Sequence, residues 1–341
     1  MVMKISVVIP CRNEELYIEE CIHSIYQSDL NPDVELAVYV VDGMSSDGTR
    51  KVVSNLKGTY SSLHLLDNAR QLTPYAFNIG IKAQDFDFVQ IVGARHILSR
   101  NYIQNCINTL GGDSSIWCAG GRIVNEFVNE AGKVIAQAMS TKLGMGLSNF
   151  RTLNESGFTD TVTSPMYPNW VFDRIGYFDE DLVRNQDDDF NFRVSKAGGK
   201  IFFDADISLK YYVRGNYRNL WKQFNQYGYW KVYVNQKHKT VTTIRQMVPP
   251  VFVAYLALAF LSWLLGGIFG GVSNFPLLVY ILLVTYTSWK IQKENSDLKF
   301  TDIWKTFPIL HISYGLGYLK GMIHFLILKK KPSEAQKELS R

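Results

Sequence analysis

Four groups of residues have the types and spacing to do chemistry. The most telling is Asn185-Gln186-Asp187-Asp188-Asp189. Three adjacent carboxylates repel one another, a cost that a cation or a chemical task must offset. Phe190, Phe192 and Val194 follow as the apolar set of a helix, so the acids fall at its N-terminus, where negative charge is favoured. A carboxylate held close to a hydroxyl is a suitable general base. The same pattern also serves as a solvated acidic cap, for one or two of the three.

The second group, Pro10, Arg12, Asn13 and Glu14, directly follows the apolar run Ile5–Ile9. Glu14 suits hydrogen bonds to a ribose or a base; taken alone it is equally a first-turn helix acid. The third group, Asp42, Gly43, Ser45, Ser46 and Asp47, follows the run Leu36–Val41. An acid at a strand end, ahead of a turn and a helix start, suits recognition of a nucleoside. Ser and Asp also cap helices for their own reasons, so Asp47 is assigned to capping and Asp42 to binding. The fourth group is Gln223-Phe-Asn-Gln-Tyr-Gly-Tyr-Trp-Lys231. Its aromatics, amides and lysine suit a sugar or diphosphate site, or else an interfacial belt beside a membrane.

Elements must place these groups. Ile5–Ile9, Leu36–Val41, Leu63–Leu66 and Phe86–Val92 read as short buried strands, with helices expected at Glu14–Gln27, up to about Leu56, and at Pro74–Ala83. Such alternation predicts right-handed crossovers and a parallel sheet covered on both faces, with ligands beyond the carboxyl ends of its strands. Asp204–Asp206 is read as the end of a later strand, and Asn219–Tyr233 as an aromatic helix. No G-x-G-x-x-G follows the first strand, which weakens a dinucleotide-binding dehydrogenase.

The 341 residues suffice for one large domain and an appendage. No Asp, Glu, Lys or Arg occurs from Gln246 to Trp289. That length predicts a membrane region over 246–328, with two spans at 248–271 and 275–289 and a third interfacial or membrane helix at 304–328, then a basic tail, 329–341. The net charge is +5, and Lys231, Lys237, His238, Lys239, Arg245 and Lys329–Lys331 flank the apolar run. This suits anionic lipid and a catalytic part on the cytoplasmic side of a multi-pass inner (plasma) membrane protein. No nucleic-acid module is present, so nucleic acid is not an expected partner. Cys11, Cys21, Cys106 and Cys118 fit neither a zinc site nor a disulfide framework and read as buried reduced thiols.

In this order the clusters resemble the family 2 glycosyltransferases, in particular the bacterial succinoglycan-type enzymes of exopolysaccharide and capsule synthesis. The likeness rests on Ser6-Val-Val-Ile-Pro-Cys-Arg-Asn-Glu-Glu15, Val40-Val-Asp-Gly-Met-Ser-Ser-Asp-Gly-Thr49, Ala76-Phe-Asn-Ile-Gly80, Ile175-Gly-Tyr-Phe-Asp-Glu180, Leu182 to Arg193, Lys196 to Ile201 and Gln226 to Lys231. It implies an α/β GT-A fold, Rossmann-like, over 1–240, with a nucleotide-binding half (1–125) and an acceptor half (126–240), followed by C-terminal transmembrane helices. It implies inverting transfer of a hexose from a nucleotide sugar, a UDP-sugar being the family-level expectation, to a lipid-linked glycan acceptor. Asp187 takes the base position. Pro10, Arg12, Glu14, Asp42, Arg70, Ala94 and Arg95 take nucleotide-side positions. Arg95, His96, Gln186, Asp188, Gln226, Tyr227 and Trp230 fall near the diphosphate or the acceptor.

One departure matters. The family places a D-x-D or D-A-H motif after the fourth strand to hold a divalent cation, Mg²⁺ or Mn²⁺. Here the stretch reads Gly93-Ala94-Arg95-His96, with Gly93 in place of the first carboxylate. Either Arg95 and His96 screen the diphosphate without metal, or activity is impaired. The alternative function is a non-catalytic sugar-nucleotide-binding or scaffold subunit of a polysaccharide assembly complex. Ser164-Pro165-Met166 also departs from the small Pro-Gly pattern of such proteins, which bears on acceptor contacts.

Overall fold

The computed structural model describes residues 2–146, 153–213, 215–242, 244–264 and 274–332. The chain divides into two compact units, Met1–Val124 with Ser148–Tyr212, and Asn125–Leu147 with Val213–Arg341.

The first unit opens with β1 (Met3–Cys11), α1 (Ile18–Tyr26), β2 (Val34–Asp42), α2 (Thr49–Leu56), β3 (Leu63–Asp67), α3 (Thr73–Ile81) and β4 (Phe88–Ile91). β5 (His96–Leu98), α4 (Tyr102–Gly112) and β6 (Ile116–Glu126) follow. Along the chain come α5 (Glu130–Met139) and α6 (Lys142–Met145) of the second unit, then β7 (Gly157–Thr159), β8 (Thr163–Pro168), α7 (Asn169–Ile175), α8 (Gln186–Lys196) and β9 (Lys200–Tyr212) of the first.

One sheet runs β3-β2-β1-β4-β8-β6-β9-β5, with β7 paired to β9. The strands β1 to β4 are parallel, as expected, because helical crossovers return the chain each time. The rest departs from the all-parallel expectation. β8 runs antiparallel to both β4 and β6, and β9 antiparallel to both β5 and β7. β9 also carries through Asp204–Asp206, where a strand end was expected, and the Asp206 N–H donates to Asp204 Oδ1 there at 2.9 Å.

Alternation in the β-branched runs explains burial on both faces. Ile5, Val7, Ile9, Val38 and Val40 join one apolar cluster, while Val8, Tyr39 and Val41 join the other. Each such buried aliphatic side chain stabilises by about 1.5–3 kcal/mol as an upper bound. The register pairs Cys11 with Asp42 and Asp42 with Asp67, so three carboxyl ends finish level. All four cysteines are buried and form no disulfide, and burial pushes the Cys21, Cys106 and Cys118 thiols upward.

The second unit contains α5, α6, α9 (Tyr217–His238), α10 (Val248–Leu264), α11 (Phe275–Glu294) and α12 (Phe300–Gly321), with a π-helical turn at Met322–Ile327. α9 and α12 approach closely through reciprocal glycines. A Cβ on Gly228 would fall well inside contact of the Tyr314 carbonyl oxygen, and one on Gly317 would do the same to the Asn225 oxygen. Val134 and Ala138 of α5 pack with Val284, Ile303 and Phe307, and Ile135 and Met139 pack with Leu220, Phe224 and Leu310.

α10 and α11 begin at Val248 and Phe275, where the two spans were expected. Among the described residues no helix is long and apolar enough to cross a membrane. Residues 265–271 of the first expected span lie outside the described residues. In α11 the run Phe275–Val284 gives way to Thr285, Tyr286, Thr287, Ser288 and Lys290, which dilutes its apolar character. The expected interfacial or membrane helix at 304–328 begins at Phe300, and Ile303, Phe307 and Leu310 are committed to the unit's own core. His311 is held within the unit, by the Tyr280 hydroxyl at 3.0 Å and the Leu143 carbonyl at 2.9 Å. α10 and α11 nevertheless present large apolar side chains outward, such as Leu258, Trp263, Leu282 and Trp289.

Candidate active site

The loops after β1 and β2 are laced into one ledge. The Asn13 N–H donates to Ser45 Oγ at 2.8 Å and the Glu14 N–H to Thr49 Oγ1 at 2.9 Å. In return, the Ser46 N–H donates to Asn13 Oδ1 at 2.8 Å and the Gly48 N–H to Glu15 Oε2 at 3.0 Å. These bonds delay α1 until Ile18, later than the helical spacing from Glu14 predicts. Asn13, Met44 and Gln71 hold positive φ of 55, 57 and 60° at the ends of the first three strands. Non-glycine residues there store strain, which concentrates at functional sites.

Asp42 is fully buried, and Arg50 is the reason it is tolerated. Arg50 Nη1 lies 2.8 Å from Asp42 Oδ2 and 2.8 Å from Asp67 Oδ1. The Ser45 N–H also donates to Asp42 Oδ2 at 3.0 Å, and the Ser45 hydroxyl donates to Oδ1. Hydrogen bonds to Asp42 and Asp67 raise the Arg50 pKa. Asp42 thus anchors the loop and the guanidinium; in this state its carboxylate has no surface open to a ligand. Asp47 does what capping chemistry predicts, its Oδ1 accepting from the Thr49 N–H at 3.0 Å and Thr49 Oγ1 at 2.5 Å. Arg70 stands exposed three residues past β3, its guanidinium 6.0 Å from the Tyr75 ring centre.

Beyond β4 the chain places Gly93, Ala94, Arg95 and His96. Ala94 is buried. Arg95 Nε lies 2.6 Å from Glu14 Oε2, so the structure brings these two sequence candidates together. Tyr17 covers the guanidinium at 4.6 Å. Burial opposes the charge on Arg95, and Glu14 more than offsets it, so the pKa is raised. His96 Nδ1 and Ser164 Oγ share a hydrogen bond of 2.7 Å, and Ser164 has φ 38°.

The three acids of α8 separate by environment. Asp189 is fully buried and lies 3.0 Å from Arg193 Nε. Arg193 also donates to the carbonyls of Ile175 at 2.6 Å and Tyr177 at 2.8 Å, so this pair fastens α8 to the loop before it. Asp188 Oδ2 accepts from Asn185 Nδ2 at 3.1 Å, in a turn where Asn185 has φ 61°. Asp187 is exposed in the first helical turn. Gln186 Oε1 is buried with no hydrogen-bond partner among the described residues.

Pro10 and Arg12 sit at the end of β1, each part-buried. Gln226, Tyr227 and Trp230 lie on α9 in the second unit. Gln226 and Trp230 are buried there, Trp230 against Tyr229 and Tyr233, and Tyr227 Oη accepts from Gln223 Nε2 at 2.7 Å. In this state Gln226 and Trp230 belong to that unit's interior rather than to an open sugar platform. Sequence reasoning missed Arg50 and Tyr17, and noted Ser164 only within the departure at Ser164-Pro165-Met166, not as a partner of His96. Arg50 had a signal, a cation one residue beyond a helix start that follows a strand-end acid. Tyr17 had none, because its partners Arg95 and Tyr212 lie far along the chain.

The site's donor set fits a divalent cation poorly. Among the described residues no group of three or more His, Cys, Asp or Glu side chains converges to hold one. The stretch after β4 contributes a guanidinium, already paired, where the expected motif has a carboxylate.

Residues 6–174 match the family described as Glycosyl transferase family 2. A dolichyl N-acetyl-alpha-D-glucosaminyl phosphate 3-beta-D-2,3-diacetamido-2,3-dideoxy-beta-D-glucuronosyltransferase of Methanococcus voltae is 26% identical over 325 residues, covering 94% of this chain and 97% of that protein. The succinoglycan biosynthesis protein ExoA of Rhizobium meliloti (strain 1021) is 28% identical over 267 residues, covering 76% and 79%. Among solved structures, the mannosyltransferase PcManGT from Pyrobaculum calidifontis, in complex with GDP-Man and Mn²⁺, superposes with a TM-score of 0.59 at 18% identity. That likeness covers 94% of this chain and 88% of that one, and it shows the fold: a GT-A-like mixed α/β sheet.

Proposed function

We propose that this chain, a glycosyltransferase by its family 2 domain, transfers a hexose with inversion from a nucleotide sugar, first among candidates a UDP-sugar, to a lipid-linked saccharide. The observation that carries the reading is the sorting of the α8 acids. Asp189 is fully buried against Arg193 and Asp188 accepts from Asn185, while Asp187 is exposed in the first turn of α8, where an acceptor hydroxyl can reach a carboxylate acting as general base. Asp187 removes the proton from the acceptor hydroxyl as its oxygen attacks the anomeric carbon. The bond from that carbon to the diphosphate breaks on the opposite face, and the nucleoside diphosphate leaves with the electron pair.

The acceptor class rests on the Methanococcus relative, whose name specifies a dolichyl phosphate-linked sugar. A lipid-linked acceptor asks for a membrane surface. Outward apolar residues of α10 and α11, with Lys329–Lys331 beyond α12, suit an inner-membrane face approached from the cytoplasmic side. The replaced first acid of the cation motif, at Gly93, is the one feature that favours a non-catalytic subunit.

The test is transfer from UDP-sugars and GDP-sugars to lipid extract by full-length protein in liposomes, with the product anomer read by NMR. Inverted product, lost in Asp187→Asn, supports the reading. Retained configuration, or transfer undiminished in that variant, overturns it.

A further inference from the structure

The strand order sets a crevice. The chain winds from β1 through β2 to β3 on one side, then returns to lay β4 on the other side of β1. In open α/β sheets ligands bind at this reversal, beyond the carboxyl ends of the strands. Glu14 follows β1 by three residues and Arg95 follows β4 by four, so their ion pair stands over the reversal point. The two side chains are 17% and 24% exposed, sheltered yet reachable.

The pair is half-used. Arg95 engages Glu14 through Nε alone, and among the described residues neither Nη has a hydrogen-bond partner. Tyr17, itself in tilted contact with Tyr212 at 5.2 Å, covers the guanidinium and leaves its edge as the working surface. A planar fork of that kind matches phosphate oxygens two at a time. A carboxylate in front of it is the simplest stand-in for such an anion.

The neighbouring residues reinforce the choice of a cationic side chain. A Cβ on Gly93 would lie 3.0 to 3.2 Å from three atoms of the His96 ring. That ring is fixed by Ser164 Oγ at 2.7 Å and by an edge-on contact with Tyr211 at 5.4 Å. A side chain at position 93 would therefore press on the imidazole, which must give way slightly to admit it. Gly93 thus leaves the His96 ring its room, beside the guanidinium of Arg95.

We propose that Glu14 is a resident counter-ion which the donor's diphosphate displaces from Arg95, so that the leaving group is neutralised by exchange of one anion for another, without uptake of a divalent cation. The exchange rests on the nucleotide-sugar reading above. It gives Glu14 a different task from contact with the nucleoside. Coulomb energy lost with Glu14 is regained with phosphate, and the freed Nη groups gain acceptors. Arg12 and Arg70, at the ends of β1 and β3, add to the positive field.

The experiment is calorimetric titration of full-length protein in nanodiscs with inorganic pyrophosphate, UDP and GDP, each in Mn²⁺ and in EDTA. Pyrophosphate affinity is expected to change less than about twofold between Mn²⁺ and EDTA, and to fall at least about tenfold in Arg95→Ala, with partial rescue in Arg95→Lys. Glu14→Gln is expected to tighten pyrophosphate and UDP alike, by about threefold or more, because no bound anion must leave. Gly93→Asp is expected to gain no Mn²⁺ dependence unless combined with His96→Ala. Circular dichroism melts confirm that each variant is folded. Binding that requires Mn²⁺ and ignores Arg95→Ala overturns the proposal and leaves the nucleotide-sugar reading standing. So does a Glu14→Gln variant that weakens UDP and leaves pyrophosphate unchanged, the signature of a nucleoside contact. Pyrophosphate bound through Arg95 while neither nucleotide binds keeps the exchange and removes the nucleotide-sugar reading. A wild-type protein that binds none of the three overturns the exchange.

Discussion

Asp187→Asn and Asp189→Asn change neighbouring acids by the same chemistry, and the structure separates their consequences. Asp189 has no exposed side-chain surface, and its partner Arg193 is only 18% exposed. Neutralising one member of a buried pair costs about 3–5 kcal/mol. Arg193 keeps the Ile175 and Tyr177 carbonyls as acceptors, so the low end of that range applies, about 3 kcal/mol. For a domain of this size each kcal/mol moves Tm by about 2–4 °C, so Asp189→Asn should lower it by about 6–12 °C. Asp187 is exposed, and losing its charge at the helix N-terminus costs at most about 1 kcal/mol, or about 2–4 °C. As the proposed general base, however, it would contribute about 10²–10⁴ in rate. The assay pairs thermal unfolding with initial transfer rates at saturating donor. Asp187→Asn should melt nearly as wild type and turn over at least about a hundredfold more slowly. Asp189→Asn should melt early and, below its transition, retain most of its rate. An Asp187→Asn protein within about tenfold of wild type, or an inactive Asp189→Asn protein with an unchanged melt, refutes the assignment.

Other expectations follow from packing and charge. Gly228→Ala drives a methyl into the Tyr314 carbonyl and should destabilise the helical unit by about 1–3 kcal/mol or more in detergent melts. Gly111→Ala in α4 meets nothing within 4 Å and should be neutral or stabilising by about 0.5 kcal/mol. Asp47 has a lowered pKa; burial raises it, and hydrogen bonds from Thr49 and Glu15 outweigh that. A depressed carboxylate stabilises above its unfolded pKa of about 3.9, and that contribution fades as pH falls through the lower folded value. The wild-type minus Asp47→Ala difference in Tm should therefore shrink in acid; a difference constant from pH 7 to pH 2 would contradict the assignment. Truncation after His238 removes Leu310 of α12 and Phe325 beyond it, and strips cover from Phe224 and Tyr229 of α9. That fragment should aggregate unless α9 is removed as well, as size-exclusion chromatography would report.

Much of this was written in local pattern. The β-branched runs before Cys11 and Asp42 mark β1 and β2 because buried parallel strands need little else, and Asp47 announces its cap because Thr49 is two residues away. The antiparallel half of the sheet was not legible. β8 finds its place beside β4 through pairing across about 80 residues, which leaves no periodic mark. Arg95 stood out in the sequence as a cation in the altered motif, but its partner Glu14 lies 81 positions away, and only folding shows that they meet. The core contacts of α12 were illegible for a related reason. An apolar run does not state its neighbour, and Ile303, Phe307 and Leu310 face α5 and α9 companions that come much earlier in the sequence.

That separation has a bearing on how the protein is made. Lys133 on α5 meets Asp297, just before α12, across 164 positions of chain. At about 5–20 residues per second, a ribosome delivers the second of these about 8–30 s after the first. Through that interval Val134, Ile135, Ala138 and Met139 have no α12 to cover them, even as the strands between are completed. The helical unit can close only when the last part of the chain emerges. Until then the nascent protein carries an apolar stripe in its middle, and holding that stripe apart from other chains is a task for the cell's folding machinery rather than for the sequence itself.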